Sequence, residues 1–358
     1  MIIGDLMKVF IPAAASFVIG ILFAPILTHY LYRFQVWKKE SRKTALDGSV
    51  AVEFLKLRET YHAETETKTP RMGGILIWFT TAFVTLGAWV LARLVPLPET
   101  EKLDFLSRSQ TWIPLFTLLA GGLMGFGNDL LDIRPGGERG IQLRTRLLFV
   151  ALVSLFIGWW FYAKLEIISI GIPLHGQLFL GWWIIPLFML VTLALYAGGV
   201  IDGIDGLSGG VFSTIFMAYA GIAYIQDQIN LAAFCATVAG AILAFLWFNI
   251  PPARFWMTET GTMALTMTLA VVAFMTDATA GGYGVVALPI IAFLLAITVL
   301  SNVIQVASKK IRGKKIFRIA PLHHHFEAIG WPSYKVAMRY WVISIMCAIL
   351  GMTVALLK

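Results

Sequence analysis

Apolar residues run through this chain in long blocks separated by short polar stretches. Helices that cross a hydrocarbon core of ~30 Å need roughly 20 such residues. Blocks of that length predict helices at 9–34, 72–95, 112–131, 147–163, 178–198, 209–225, 231–249, 261–277, 284–308 and 336–357. The pattern is that of an all-α polytopic membrane protein with about ten transmembrane helices. The division at Gly198–Ser208 is the faintest, because apolar character barely drops there. Lys164 to Gly176 alternates apolar and polar residues instead, which predicts a short β-hairpin outside the membrane with its turn at Ile170–Gly171. Val50 to Leu57 reads as a short interfacial helix. With no internal repeat and no soluble segment, residues 1–358 form a single membrane domain. The first ten residues lack a basic leader and a small-residue cleavage site, so the first block is expected to stay as a helix.

Composition excludes the alternatives. The chain is 58% hydrophobic and 13% charged, whereas soluble domains run nearer ~45–50% and ~25%. Cys235 and Cys347 both fall inside apolar blocks, as core residues do, and suggest no disulfide. The net charge of +8 is unevenly placed. Five loops on one side (35–71, 129–146, 198–208, 249–260 and 309–335) carry twenty Lys and Arg, against Lys102, Arg108 and Lys164 in the opposite loops. Basic loops stay in the cytoplasm. The five-loop side is therefore expected there, with both termini outside, and the surplus charge implies no nucleic-acid partner.

The acids on that side change the picture. Asp129 and Asp132 end the third block, Asp202 and Asp205 lie in the third loop, and Glu259 lies in the fourth. Each has an ordinary explanation. Asp205-Gly206 makes a turn, Asp202 or Asp132 a cap, and Glu259 a helix start. Together, on a face otherwise rich in bases, they suggest a bound divalent cation. Carboxylates without thiolates suit Mg²⁺, which also takes water and phosphate oxygens. Arg134, Arg139, Arg144 and Arg146 either anchor the loop or bind anionic oxygens. The pairs Gly136-Gly137, Gly198-Gly199 and Gly209-Gly210 permit close approach of backbone to a ligand. The fifth loop carries His323, His324 and His325 in succession. Consecutive helical side chains point ~100° apart, so the three cannot share one ion. One of them is expected to bind phosphate or orient a neighbour. HExxH, the zinc protease signature, is absent.

These residues resemble the phospho-N-acetylmuramoyl-pentapeptide transferase (MraY) family, within the polyprenyl-phosphate N-acetylhexosamine-1-phosphate transferase superfamily. The matching pieces are TPRMGG at 69–74, NDLLDIR at 128–134, DGIDGL at 202–207, FLWFN at 245–249, ETG at 259–261 and IFRIAPLHHHFEAIGWP at 316–332, in the family's order. APLHHHFE discriminates best, since related transferases with other sugar nucleotides lack the full histidine run.

The resemblance implies a multi-pass protein of the bacterial inner (plasma) membrane with its active site on the cytoplasmic face. It implies transfer of phospho-MurNAc-pentapeptide from UDP-MurNAc-pentapeptide to undecaprenyl phosphate. The products are lipid I, a peptidoglycan precursor, and UMP. A Mg²⁺ cofactor is implied, and a homodimer stays open. Asp129 then matches the acid proposed as base or nucleophile. Glu259 stands where the family has a metal-binding Asp, so Asp129 and Glu259 are the expected metal ligands. His324 serves the phosphate region. Asp202 and Asp205 contact or support the uridine part, and Trp256 takes the place of a Phe that stacks on uracil. Lys68, Asn128, Arg139, His323 and His325 complete the expected substrate-binding set.

Three positions depart from the family: Asn128 replaces the first of two paired acids, Glu259 replaces Asp, and Gly199 replaces an Asn. Three rival readings remain. A UDP-GlcNAc-type sister transferase is disfavoured by the histidines. A transporter is disfavoured because the acids sit at one membrane edge. A catalytically degenerate scaffold is kept open by the departures.

Overall fold

A computed structural model describes residues 2–37, 68–134, 140–278 and 282–357. Val50–Leu57 and Arg139, with Gly136-Gly137, lie outside the described residues. In chain order the helices are α1 (Ile2–Arg33), α2 (Ile75–Leu94), α3 (Pro98–Leu103), α4 (Trp112–Asp132) and α5 (Leu143–Lys164). Strands β1 (Ser169–Ile172) and β2 (Gly176–Phe179) follow. Then come α6 (Ile184–Gly198), α7 (Leu207–Ile225), α8 (Ile229–Asn249), α9 (Thr258–Ala278), α10 (Gly284–Ile291), α11 (Phe293–Arg312), α12 (Leu322–Ala328) and α13 (Ser333–Ala355). Ten of the described helices are long and apolar enough to cross a membrane.

The expected blocks map onto these helices, the first starting at Ile2 rather than at residue 9, and two further blocks and the hairpin turn also differ. The block at 284–308 is broken at Ala292, where α10 ends and α11 begins. Pro289 inside α10 supplies no N–H and crowds the preceding turn. The block at 178–198 starts too early, because Leu178 and Phe179 belong to β2. The hairpin exists, but its turn is at Pro173–His175. Leu174 (φ 66°) and Gly176 (φ 82°) take the left-handed conformations there. Gly171 sits inside β1 opposite Gln177. It is a glycine for closeness, since a Cβ there would lie 2.3 Å from the Gly282 carbonyl oxygen.

Helix α9 is the axis of the bundle. It is buried almost throughout and packs chiefly on α4, with α6 and α10 next. Its threonines would be costly in an apolar interior if unpaired. Thr262, Thr266, Thr268 and Thr276 each donate back to the carbonyl four residues earlier. The outer helices α1, α5, α11 and α13 turn Leu22, Phe156, Val303 and Val342 outward, the arrangement that lipid contact requires.

Glycines set how closely the elements at one end approach. A Cβ on Gly125 of α4 would lie 2.1 Å from the Glu259 carbonyl oxygen, and one on Gly74 would lie 2.2 Å from the Gly261 nitrogen. These two contacts draw α4, the 68–74 segment and the start of α9 together, and the acids gather around that junction.

Candidate functional site

Asp129 lies one turn beyond Gly125 and is wholly buried. Its Oδ2 accepts from the Thr258 hydroxyl (2.5 Å), the Thr260 amide (2.9 Å) and the Thr260 hydroxyl (2.6 Å). Its Oδ1 is less committed. The Asn128 amide donates to it at 3.4 Å, and an Arg71 nitrogen stands 3.8 Å away. Another Arg71 nitrogen lies 3.4 Å from Asp132. The Asn128 carbonyl oxygen accepts from the Ile141 amide at 2.9 Å, so this side chain braces the loop after α4.

The 70–74 segment pairs with 256–258. Trp256 N–H donates to Pro70 O (2.9 Å), and Gly73 N–H donates to Trp256 O (2.7 Å). The Met72 amide donates to the Thr258 hydroxyl at 3.1 Å. Thr258 (φ 54°) and Met72 (φ 67°) are both left-handed, a conformation that costs a β-branched residue such as threonine. The pairing holds Thr258 so that its hydroxyl reaches Asp129. Glu259, next in sequence, pairs with Arg146 from the first turn of α5.

The third loop joins the same cluster. Asp202 accepts from the Ser208 hydroxyl (2.6 Å) and the Thr258 amide (2.8 Å). Burial pushes its carboxyl up from the usual carboxylate range, and those two donors oppose the rise. Asp205 accepts from the Trp256 indole N–H (2.9 Å) and the Ala253 amide (3.0 Å). Asn249 ties the same loops, accepting from Gly206 N–H and donating to Phe255 O.

All three histidines lie on α12, where they divide. His323 and His324 are buried, and a Cβ on Gly203 would sit 2.5 Å and 2.9 Å from their Nε2 atoms. The pair therefore packs directly on the Asp202–Asp205 loop. Glu327 accepts at 2.7 Å from His324 Nδ1 and is itself held by the Ser333 hydroxyl. This orients Nε2 toward the loop. Neither ring nitrogen of His323 has a hydrogen-bond partner among the described residues, and burial beside His324 holds its imidazole well below the ordinary histidine range. His325 faces elsewhere, accepting from the Arg318 amide and packing on Phe317. Burial, then Arg318, lowers its pKa.

The structure thus gathers Asn128, Asp129, Asp202, Asp205, Trp256, Glu259, His323 and His324. Lys68 is exposed at the edge of the 70–74 segment. The Gly209-Gly210 pair is used for packing, with a Cβ on Gly210 falling 1.9 Å from Trp341. A Cβ on Gly199 would press on Thr262 at 3.2 Å. Arg71, Thr258, Thr260 and Glu327 are participants that the sequence reading passed over. Only Glu327, three residues after His324, carried a signal there.

A cation can be accommodated. No group of three His, Cys, Asp or Glu side chains among the described residues is placed to hold a metal. Mg²⁺ needs only one or two carboxylates when phosphates and waters supply the rest. The less committed oxygen of Asp129 and the carboxylate of Glu259 fit that demand.

A model of glycosyl transferase family 4 matches residues 111–277, which hold Asp129, both acids of the third loop and Glu259. A phospho-N-acetylmuramoyl-pentapeptide-transferase of Levilactobacillus brevis is 31% identical over 99% of this chain and 100% of its own length. Relatives of the same name come from Geobacillus thermodenitrificans (31%, 95% of this chain and 96% of theirs) and a Geobacillus strain (35%, 80% and 84%). The likeness runs nearly end to end and spans every loop of the cluster, so the chain belongs to the phospho-N-acetylmuramoyl-pentapeptide-transferase family.

Proposed function

We propose that the chain transfers phospho-MurNAc-pentapeptide from UDP-MurNAc-pentapeptide to undecaprenyl phosphate, forming lipid I and releasing UMP. The observation that carries this reading is Asp129. It is a buried carboxylate with one oxygen fixed by three donors and the other turned toward cationic and amide groups, at the junction of four loops. An oxygen of the lipid phosphate bonds to the β-phosphorus. The bond from that phosphorus to the bridging oxygen breaks, and UMP leaves with the electron pair. Such transfers rest on positioning and on neutralising charge.

Asp129 acts on the attacking phosphate as base, or holds the cation with Glu259. Mg²⁺ bound there would neutralise diphosphate charge. His324, fixed by Glu327, presents Nε2 at the phosphate region. Trp256, held by Asp205, offers a flat face for uracil, with Asp202 supporting the loop. The basic loops support a cytoplasmic position for this face, where a lipid phosphate can meet a soluble nucleotide.

The test is UMP release by purified protein with Mg²⁺, undecaprenyl phosphate and either UDP-MurNAc-pentapeptide or UDP-GlcNAc. Release with the first alone is expected. Release with UDP-GlcNAc alone would point to a sister transferase, and no release with either would favour a scaffold. A cysteine at Gly313 should be labelled from the cytoplasmic side only, and periplasmic labelling would reverse the orientation.

A further inference from the structure

Arg71 and Arg146 both hold partners that use them incompletely. Arg71 spans Asp129 and Asp132 in loose ion pairs of 3.8 Å and 3.4 Å, beyond the ~2.7–3.2 Å usual for N–H···O hydrogen bonds. Arg146 engages Glu259 through one terminal nitrogen. In both, the Nε is buried without a hydrogen-bond partner among the described residues. A guanidinium carries five N–H donors in a planar fork, and Nε with one terminal nitrogen forms the edge that grips phosphate bidentately. Leaving a guanidinium Nε dry and unpaired is costly, and here it happens on both of the arginines that pair with Asp129 and Glu259 among the described residues. Their partners, Asp129 and Glu259, are also the carboxylates suited to a divalent cation.

We propose that Arg71 and Arg146 are the diphosphate grips of this site. In the free protein they rest on the carboxylates. On binding they yield those oxygens to the divalent cation and turn their Nε edges to phosphate oxygens. This rests on the nucleotide-transferase reading above and adds two substrate-binding residues to it. The guanidiniums thereby compete with the metal while the site is empty and cooperate with it once the nucleotide is bound. A purely bracing arginine would do neither, because its loss would loosen the carboxylates and weaken the metal as well.

The test uses the purified full-length chain and its Arg71→Gln, Arg146→Gln and corresponding Lys variants. Mn²⁺ binding without nucleotide is measured by electron paramagnetic resonance, and UDP and uridine binding by calorimetry with Mg²⁺ present. Each Gln variant should bind Mn²⁺ more tightly than the parent and UDP ~10-fold more weakly, with uridine unchanged. The Lys variants, which keep the charge without the fork, should fall between and stay readable if a Gln variant does not fold. Weaker Mn²⁺ binding, or unaltered UDP binding in variants of a parent that prefers UDP over uridine, would overturn the proposal alone. A parent that binds neither UDP nor uridine would overturn the nucleotide reading and this one together.

Discussion

Asp129 and Asp277 are both wholly buried carboxylates, placed near opposite ends of α9. Asp277 accepts one backbone N–H on each oxygen, from Gly171 at 2.7 Å and Val285 at 2.9 Å. It clasps the β-hairpin and the start of α10 to the end of α9, and no cation pairs with it among the described residues. Asp129 instead stacks three donors on one oxygen and leaves the other lightly engaged beside Arg71. The two are equally buried, so burial does not separate them. The distribution of donors does. A carboxylate whose oxygens are both claimed by backbone is a fastener, and one held by a single oxygen still has an oxygen to use.

That distinction is broken most directly by exchanging each acid for its amide. Asp129→Asn should lower UMP release by ~10³-fold, within the range for losing a catalytic acid or base, with the folded fraction retained. Asp277→Asn should do the reverse. An amide has only one acceptor for the two N–H groups, so stability should drop by ~1–3 kcal/mol while turnover per folded molecule stays near the parent's. Thermal unfolding and UMP release, measured side by side on both variants, decide the matter. Similar profiles would erase the contrast.

Glu259→Gln is expected to raise the Mg²⁺ concentration for half-maximal release by about tenfold or more, or ~1.4 kcal/mol of lost charge pairing. A Mg²⁺ titration with an unmoved midpoint would remove Glu259 from the cation's ligands.

The histidine pair supplies a smaller effect with a definite sign. His323 has a folded pKa well below its ordinary 6.5, so below that pH the unfolded chain binds the extra proton. The stability contribution is complete above pH 6.5 and is lost as pH falls toward the folded value, by at most ~1.4 kcal/mol per pH unit. His323→Phe should flatten that part of a stability–pH curve, and an unchanged slope would assign it to other groups.

Trp256→Phe carries the smallest change. It keeps a flat ring but removes the indole N–H held by Asp205. A net hydrogen bond of ~1 kcal/mol corresponds to roughly fivefold weaker uridine nucleotide binding, and Trp256→Ala should lose more. Equal affinity in all three proteins would take the ring out of the nucleotide site.

The same two acids show how far the sequence could be read. The helix blocks and the grouping of acids on one face followed from hydropathy and charge, because membrane thickness imposes both. The break at Ala292 did not, since Pro289 sits in an apolar run that masks it. Asp277 also lies in an apolar run, and its partners Gly171 and Val285 are backbone groups that leave no trace in residue type. Arg71 looked like one more basic loop residue. Its proximity to Asp129 comes from the pairing of 70–74 with 256–258, a contact between segments nearly two hundred positions apart. Thr258 and Thr260 merely flank Glu259 in the sequence, and it is that pairing which turns their hydroxyls onto a carboxylate.

The clasp at Asp277 also bears on how the protein meets bilayers of different thickness. Helix α9 is anchored at one end by the Asp129 junction and at the other by the hairpin, and its span of 20 residues measures ~30 Å at the helical rise. An element pinned at both ends and enclosed by neighbours has little freedom to tilt. Mismatch with a thicker or thinner bilayer therefore falls to the peripheral helices α1, α5 and α13 and to the surrounding acyl chains. The depth of the reacting groups below the headgroups is set by the protein itself, as a fixed gauge against which the lipid substrate's phosphate must come to rest.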